Sequence, residues 1–353
     1  MSDASPDAEA LVERRGSAGV IVLNRPRALN ALTLTMVRLM AAALDEWQED
    51  PFVTRIVVRG AGERAFCAGG DIRSLYDLGR AGDHDQQLTF WREEYQLNER
   101  IRTYPKPIVA LIDGIVMGGG VGVSINASHR VAGGRFTFAM PEVGIGFFPD
   151  VGGTYFLPRL EHHAGVYFAL TGLRANAGDA LAFGLAQTFV PSADFGALAR
   201  ALESDDEVGA TLGRFAAPAP NSALLAEADG LDACFSLGDR DAILDGLAVA
   251  AGRGLAFAAP AREAMLGKSP TSQALALRQM ALGPSVDFDE ALRIEYRIVS
   301  RVCRGHDFYE GVRALIVDKD NRPAWSPPPS PAEVDAYFAP LGDDELTFPP
   351  ARP

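Results

Sequence analysis

Two glycine-rich segments carry residue types that could do chemistry through the backbone. Ala68-Gly-Gly-Asp71 and Gly118-Gly-Gly120 each lie where a strand or loop passes into a predicted helix. Glycine permits a close approach of the backbone to a ligand, and the N–H groups at a helix start lack intrahelical partners. Two such N–H groups directed at one atom would form an oxyanion hole. Close packing of a helix against a sheet is the alternative explanation for these glycines.

An acidic pair is the second feature with chemical potential. Glu142 and Asp150 lie in an otherwise apolar segment that is rich in glycine and proline. A carboxylate in such surroundings is costly unless it is exposed or has a function. The spacing does not decide whether the two acids face each other, and an exposed pair of turn residues is the alternative. A third candidate acid is Glu93 or Glu94, on an amphipathic helix. The alternative explanation is that its side chain lies on the solvated face of that helix.

Other catalytic and metal-binding motifs are missing from the sequence. There is no G-x-S-x-G nucleophile turn, and the adjacent His162 and His163 would diverge on a helix. A Gly-x-Gly-x-x-Ala string at 60–65 does not open a helix, so a dinucleotide site is not expected. The three cysteines are widely spaced, which excludes a disulfide framework and a zinc ligand set. We therefore expect neither a metal nor a cofactor.

Composition limits the classes of partner and the compartment. The 353 residues have a net charge of −13, which argues against nucleic-acid binding and docking on anionic membranes. No apolar run approaches the ~18–20 residues that span a bilayer. The first residues, MSDASPDAEA, match neither a secretory signal nor an Arg-rich transit peptide. These observations predict a cytoplasmic protein.

The elements that must position these residues alternate between strand and helix. Strands are predicted at Val20–Leu23 and Ile108–Ile112, and Thr33 is the predicted N-cap of a helix running to about Asp50. The alternation continues over roughly 190 residues and predicts an α/β fold. A helical pattern follows a linker. The expected organisation is a flexible N-terminus at 1–14, a core at 15–205, a C-terminal helical region at 206–325 and a Pro-rich tail at 326–353.

Four strings, in order and at characteristic spacing, resemble the crotonase (enoyl-CoA hydratase/isomerase) superfamily over roughly residues 15–205. They are Ala65-Phe-Cys-Ala-Gly-Gly-Asp-Ile72, Pro105-Lys-Pro-Ile-Val-Ala110, Asp113-Gly-Ile-Val-Met-Gly-Gly-Gly120 and Phe138-Ala-Met-Pro-Glu-Val-Gly-Ile-Gly146. The resemblance implies a crotonase-type spiral of ββα repeats with stacked, nearly perpendicular sheets, plus a C-terminal helical region.

The resemblance also assigns site residues. The N–H groups of Gly70 and Gly119 would bind the thioester oxygen of an acyl-CoA. The loops at 24–29 and 64–72 would line the CoA site, with Ala28, Ala68, Gly69, Asp71 and Ile72 as substrate-binding residues. Local positive charge for the CoA phosphates would come from Arg25, Arg27, Arg64, Arg73 and Lys106.

One departure from the hydratase pattern narrows the expected activity. Hydratases carry one glutamate two residues past the glycine triplet, where this chain has Gly122, and a second at the position of Glu142. Loss of a positioned proton-transfer group costs ~10²–10⁴-fold in rate. Further strings, among them Phe90-Trp-Arg-Glu-Glu-Tyr95 and Phe147-Phe-Pro-Asp-Val-Gly-Gly153, are similar to the 3-hydroxyisobutyryl-CoA hydrolase branch. In that branch the matching positions are Glu94, Gly119, Glu142 and Asp150.

The resemblance therefore implies thioester hydrolysis, with CoA as part of the substrate, in valine breakdown. Glu142 would act at the acyl carbon, either as nucleophile through an anhydride or as a base for water. Asp150 would orient water or the 3-hydroxyl, and Glu94 would lie at the acyl end. The alternatives are a hydratase or isomerase using Glu142 alone, and a non-catalytic acyl-CoA-binding protein. A homotrimer is one expected assembly, although the extra C-terminal helices could cover that surface.

Overall fold

The computed structural model describes residues 8–349 and contains two sheets and many helices. The strands are β1 Ala10–Arg15, β2 Ala18–Leu23, β3 Arg55–Gly60, β4 Ala65–Cys67, β5 Ile108–Ile112, β6 Ile115–Met117, β7 His129–Ala132, β8 Thr137–Ala139 and β9 Thr188–Phe189. The larger sheet has the order β1-β2-β3-β5-β7-β9, and the smaller has the order β4-β6-β8. Only the β1–β2 pair of the larger sheet is antiparallel.

The α-helices follow in chain order. They are α1 Leu34–Glu49, α2 Ile72–Arg80, α3 His84–Thr103, α4 Gly119–Ile125, α5 Gly153–Phe156, α6 Ala164–Thr171, α7 Ala177–Ala182, α8 Phe195–Ala201, α9 Val208–Phe215, α10 Ala228–Phe235, α11 Arg240–Gly252, α12 Ala258–Leu266, α13 Pro270–Leu282, α14 Phe288–Val302, α15 His306–Val312 and α16 Pro331–Phe338.

The chain moves repeatedly from the larger sheet to the smaller and then into a helix. β3 is followed by β4 and α2, and β5 is followed by β6 and α4. The sequence explains the helix starts, since Thr33 accepts a hydrogen bond from the Met36 N–H at 3.2 Å and thereby caps α1. The predicted α/β class is confirmed.

Contacts divide the chain into two compact units. Of the described residues, the sheet unit comprises 8–70, Gln96–Phe138 and Ala175–Ser222, and the helical unit comprises Asp71–Tyr95, Ala139–Arg174 and 223–349. Each unit is assembled from three separate stretches of chain. The division into 15–205 and 206–325 made from the sequence stays a prediction.

Each unit has its own apolar core. In the sheet unit one face of the larger sheet packs on α8 and α9, through a set of fully buried aliphatic side chains: Val20, Val22, Val57, Val109, Val131, Leu198 and Leu212. In the helical unit the rings of Trp91 and Phe147 stack with centroids 5.5 Å apart, and Phe308 lies 5.8 Å from Phe147. This aromatic cluster fixes the part of α3 that carries Glu94.

Three local expectations need correction. Strand β1 occupies residues expected to be flexible, because its backbone pairs with β2, while residues 1–7 lie outside the described residues. The sequence predicts a linker from the strings 203–207 and 216–221, but the helix α9 lies between them, and the Glu207 carboxylate caps its start. The Pro-rich tail contains α16, because Ser330 and Glu333 form a capping box that outweighs the prolines before it.

Candidate active site

The two glycine turns lie together in the sheet unit. Gly69 has a φ of +116°, and a Cβ placed on it would lie 4.0 Å from the backbone nitrogen of Gly119. Gly70 pairs with Leu32, and the Leu32 N–H donates to the Gly69 carbonyl at 2.8 Å. Among residues 8–349, neither the Gly70 nor the Gly119 N–H donates to a turn, loop or cap carbonyl. The turns are thus neighbours with unused donors, as an oxyanion hole requires.

Close packing accounts for another glycine of the triplet. A Cβ on Gly120 would overlap the carbonyl oxygen of Cys67 in β4, so α4 can lie against this strand only with glycine at 120. Gly118, with a φ of +46°, forms the turn that leads into α4. Close packing therefore explains Gly120, whereas ligand approach stays a prediction for Gly70 and Gly119.

The predicted CoA-binding loops divide between the units. Within the sheet unit the Ala68 N–H donates to the Leu29 carbonyl at 3.0 Å, which joins the 64–72 loop to the turn containing the exposed Ala28. In the helical unit Asp71 caps α2 by accepting a hydrogen bond from the Ser74 N–H, and Ile72 is the first residue of that helix. The side chain of Asp71 therefore has a structural partner already.

Most of the predicted local positive charge is already engaged. Lys106 donates to the Trp47 and Asp50 carbonyls, where α1 ends, and Arg25 donates to the Ala31 carbonyl at 2.7 Å. Arg73 pairs with Asp77 one turn along α2. Free carbonyls at a helix end attract a cation, which explains Lys106. Within residues 8–349, the guanidinium groups of Arg27 and Arg64 have no hydrogen bond or ion pair.

Three carboxylates come together in the helical unit. Glu94 on α3, Glu142 in the turn after β8 and Asp150 before α5 are only 2%, 6% and 4% exposed. Within the described chain, Oε1 of Glu94 and Oε2 of Glu142 have no hydrogen-bond partner. A buried polar atom without a partner is rare in folded proteins and marks a group that a ligand could satisfy. The exposed-turn alternative for Glu142 and Asp150 does not hold.

The electrostatics show that these acids influence one another. Burial raises the pKa of Glu94 well above its ordinary value, and the charges of Asp150 and Glu142 raise it further. Burial and the charge of Asp150 also raise the pKa of Glu142. For Asp150, burial raises the pKa to about 7, although a hydrogen bond from Tyr95 opposes the rise. Groups that titrate near neutrality inside a protein are suited to proton transfer.

Tyr95 is a site residue that the sequence analysis missed. Its hydroxyl donates to Oδ2 of Asp150 at 2.9 Å, and its side chain is fully buried. The sequence contains one weak indication, because Tyr95 directly follows the candidate Glu94. An aromatic residue on an amphipathic helix is nevertheless typical of packing, so the sequence alone does not assign Tyr95 to the site. The phenol thereby helps to hold this oxygen of Asp150 in place.

Position 122 lacks the acid that hydratases carry there. Gly122 is buried in α4, and its N–H donates to the Gly118 carbonyl at 3.1 Å.

Within residues 8–349 no group of three or more His, Cys, Asp or Glu side chains could hold a metal ion. In the same part of the chain, no helix combines the length and apolarity needed to cross a bilayer.

The chain is similar to known proteins along nearly its whole length. The family profile described as Enoyl-CoA hydratase/isomerase matches residues 18–338. A mitochondrial 3-hydroxyisobutyryl-CoA hydrolase of Xenopus tropicalis is 43% identical over 96% of this chain and 91% of its own length. The human mitochondrial 3-hydroxyisobutyryl-CoA hydrolase is 41% identical with the same coverage.

These relatives also correct the expected compartment. The prediction of a cytoplasmic protein is wrong, because the similar hydrolases are mitochondrial by name. The absence of a targeting pattern in the first residues of this chain does not determine its compartment.

Two solved structures cover almost the whole chain. An enoyl-CoA hydratase from Rhodobacter sphaeroides superposes with a TM-score of 0.90 at 43% identity, covering 97% of this chain and all of that one. A carnitinyl-CoA dehydratase from Mycobacterium thermoresistibile gives a TM-score of 0.91 at 39% identity, covering 97% of this chain and 99% of its own. The predicted crotonase fold is thereby confirmed, and the chain belongs to the enoyl-CoA hydratase/isomerase family.

Proposed function

We propose that this chain hydrolyses (S)-3-hydroxyisobutyryl-CoA to 3-hydroxyisobutyrate and CoA. The observation that carries the proposal is the buried Glu142, whose Oε2 has no partner among the described residues, in a chain with glycine at position 122. One acid near an acyl carbon is sufficient to cleave a thioester, whereas hydration of a double bond in this family uses two. The similarity to named hydrolases along nearly the full chain supports the same reading.

The proposed roles follow from residue chemistry. The N–H groups of Gly70 and Gly119 bind the thioester oxygen and stabilise the negative charge that develops on it. Glu142, when ionised, acts at the acyl carbon. Asp150 orients water or the 3-hydroxyl, and Glu94 binds at the acyl end. A thiolate leaves readily, so the reaction needs no strong acid at position 122.

Two chemical routes lead to hydrolysis. Glu142 acts as a general base in the first and as a nucleophile in the second. As a base, Glu142 takes a proton from water, the hydroxide attacks the acyl carbon, and the C–S bond breaks to release the thiolate, which regains the proton. As a nucleophile, a Glu142 oxygen attacks first, CoA leaves, and water hydrolyses the resulting anhydride. Turnover in ¹⁸O-labelled water separates them, because only the anhydride route can leave label in the peptide that contains Glu142.

The test of the activity is the release of free thiol from (S)-3-hydroxyisobutyryl-CoA. We expect turnover by the natural chain and a fall in kcat of about 10³-fold in Glu142→Gln, within the range for a positioned proton-transfer group. Glu263→Gln is the matched control, since Glu263 is an exposed carboxylate of the same unit. Full activity in Glu142→Gln would reject the assigned role. Tight binding of the thioester without product would favour a non-catalytic binding protein.

A hydratase is the second candidate, because the R. sphaeroides structure with a TM-score of 0.90 carries that description. Its assay is the loss of enoyl-thioester absorbance without release of thiol. We expect hydration to be slow in this chain, since Gly122 provides no second acid. Hydration faster than hydrolysis would replace the proposal. Assembly as a trimer stays a prediction, which light scattering of the purified chain can check.

A further inference from the structure

Two helices far along the chain hold the loop that carries Asp150. The carboxyl of Glu295, in the middle of α14, is fully buried. Its Oε2 accepts a hydrogen bond from the Gly152 N–H at 2.8 Å, and its Oε1 accepts one from the Thr154 N–H at 2.8 Å. Both carboxylate oxygens of Glu295 therefore accept hydrogen bonds from the same short segment, at positions two and four residues after Asp150.

A second side chain fixes the same loop from its other side. The Nε2 of Gln279, on α13, donates to the Pro149 carbonyl at 2.8 Å and to the Thr154 hydroxyl at 2.7 Å. Gln279 is also fully buried. Pro149, Gly152 and Thr154, on both sides of Asp150 in the sequence, are thus tied to the C-terminal helices by four hydrogen bonds.

The loop needs such ties because its backbone is strained. Val151, directly after Asp150, has a φ of +53°, which is unfavourable for a β-branched residue, and Gly152 follows with a φ of +92°. A non-glycine residue in that conformation is unfavourable and persists only when its surroundings enforce it. Without the contacts to Glu295, the loop would relax and displace the carboxylate of Asp150.

A buried acid is a costly way to hold a loop. Burial raises the pKa of Glu295 to about 8, while the N–H of Gly152 opposes the rise and the charge of Asp150 adds to it. An apolar residue would fill the same space without this cost. The acid supplies what an apolar residue cannot, namely two acceptors for backbone N–H groups that would otherwise be buried without partners.

We propose that Glu295 is a positioning residue of the active site: it holds the 150–154 loop, with Gln279 as its second tie, so that Asp150 stays beside Glu94 and Glu142. The effect on catalysis rests on the proposed hydrolysis, and the effect on the loop does not. The C-terminal helices thereby acquire a role in the chemistry although they contribute no reacting group.

The first experiment compares hydrolysis by Glu295→Gln, Glu295→Asp and Glu290→Gln. The glutamine keeps one acceptor and places an NH₂ group against a backbone N–H, so we expect kcat to fall about 10–100-fold with KM within about twofold. The aspartate keeps both acceptors and should restore part of the loss. Glu290 lies on the same helix and pairs with Arg297 and Arg293, so its variant should match the natural chain. Equal activity in all three variants would overturn the proposal.

A double-mutant cycle distinguishes positioning from general stability. If Glu295 acts through Asp150, Glu295→Gln should cost little further activity in an Asp150→Asn chain. An equal fold-loss in both backgrounds would overturn the proposal, because a purely structural effect is additive.

Hydrogen exchange tests the loop without any assay of catalysis. The amides of Gly152 and Thr154 should exchange at least about tenfold faster in Glu295→Gln, while those of α13 stay unchanged. Unchanged exchange in the loop would overturn the proposal. If the natural chain shows no hydrolysis, the proposed function fails, and the exchange result alone still decides whether Glu295 holds the loop.

Discussion

The two units differ in the kind of group each offers for chemistry. The sheet unit offers main-chain N–H groups at Gly70 and Gly119, and the packing of the second turn requires glycine at the neighbouring position 120. The helical unit offers the side-chain carboxylates of Glu94, Glu142 and Asp150, buried where their ionisation is unfavourable. Backbone donors depend on shape alone, whereas buried acids depend on charge as well. Changes in shape should therefore impair the first region, and changes in charge or pH the second.

After Glu142→Gln, the next largest effect expected in the helical unit is that of Asp150→Asn. Removing this carboxylate should lower kcat for thioester hydrolysis by about 10²–10³-fold, within the range for a positioned proton-transfer group. The measurement is thiol release at pH 8. Asp245→Asn is the control, since Asp245 is exposed on α11 of the same unit. A loss below about threefold would remove Asp150 from the catalytic cluster.

In the sheet unit, the substitution Gly120→Ala adds one methyl group and no charge, so it tests the effect of shape alone. Gly120→Ala would place a Cβ against the Cys67 carbonyl and push α4 away from β4. Overpacking of this kind costs about 1–3 kcal/mol in the free energy of unfolding, and we expect kcat to fall about 10–100-fold at every pH.

Gly213→Ala is the matched control in α9, where an added Cβ meets nothing within 4 Å. It should stabilise the protein by about 0.5–1 kcal/mol and leave hydrolysis unchanged. Denaturant unfolding gives both free energies. If the loss of activity in Gly120→Ala depended strongly on pH, it would contradict the expectation that the sheet unit is sensitive to shape and not to charge.

Tyr95→Phe should change the charge of the cluster with little change in shape. The Tyr95 hydroxyl lowers the pKa of Asp150, so its removal should raise that pKa above about 7. The ionised fraction of Asp150 at pH 7 then falls, and the rising limb of the kcat profile moves to higher pH. A hydrogen bond to a charged group contributes about 1.5–3 kcal/mol, so we expect kcat at pH 7 to fall roughly tenfold. An unshifted profile would contradict this role.

The smallest expected effect concerns stability. The pKa of Asp150 is about 7 in the folded chain against an ordinary value of 3.8, so the unfolded chain loses this proton first as the pH rises. The folded state therefore loses stability between these two values, and the loss is complete above pH 7. Asp150→Asn should raise Tm by about 2–4 °C at pH 8 and leave it unchanged at pH 3.5. A lower Tm at pH 8 would show that the carboxylate stabilises the fold.

The sequence was most informative where the backbone requires glycine. The proximity of the two glycine turns could be predicted because Gly69, Gly70 and Gly119 stand in strings typical of the family, and their role as an oxyanion hole stays a prediction. The strand Ile108–Ile112 has the bounds that its apolar run indicates. Tyr95 could not be predicted, because its partner Asp150 lies 55 residues further along the chain. α16 was missed because its prolines suggested extended chain, although the Ser330 cap favours a helix.

The crowding of acids around Glu142 has a consequence for the end of the proposed reaction. Hydrolysis converts an uncharged thioester into an organic anion that arises next to Glu94 and Asp150, both of them only a few per cent exposed. A new negative charge in this poorly hydrated space is repelled by each member of the cluster that is ionised, so we expect the product to leave readily. A pocket that tolerates its own carboxylates with difficulty should bind its product weakly and resist product inhibition.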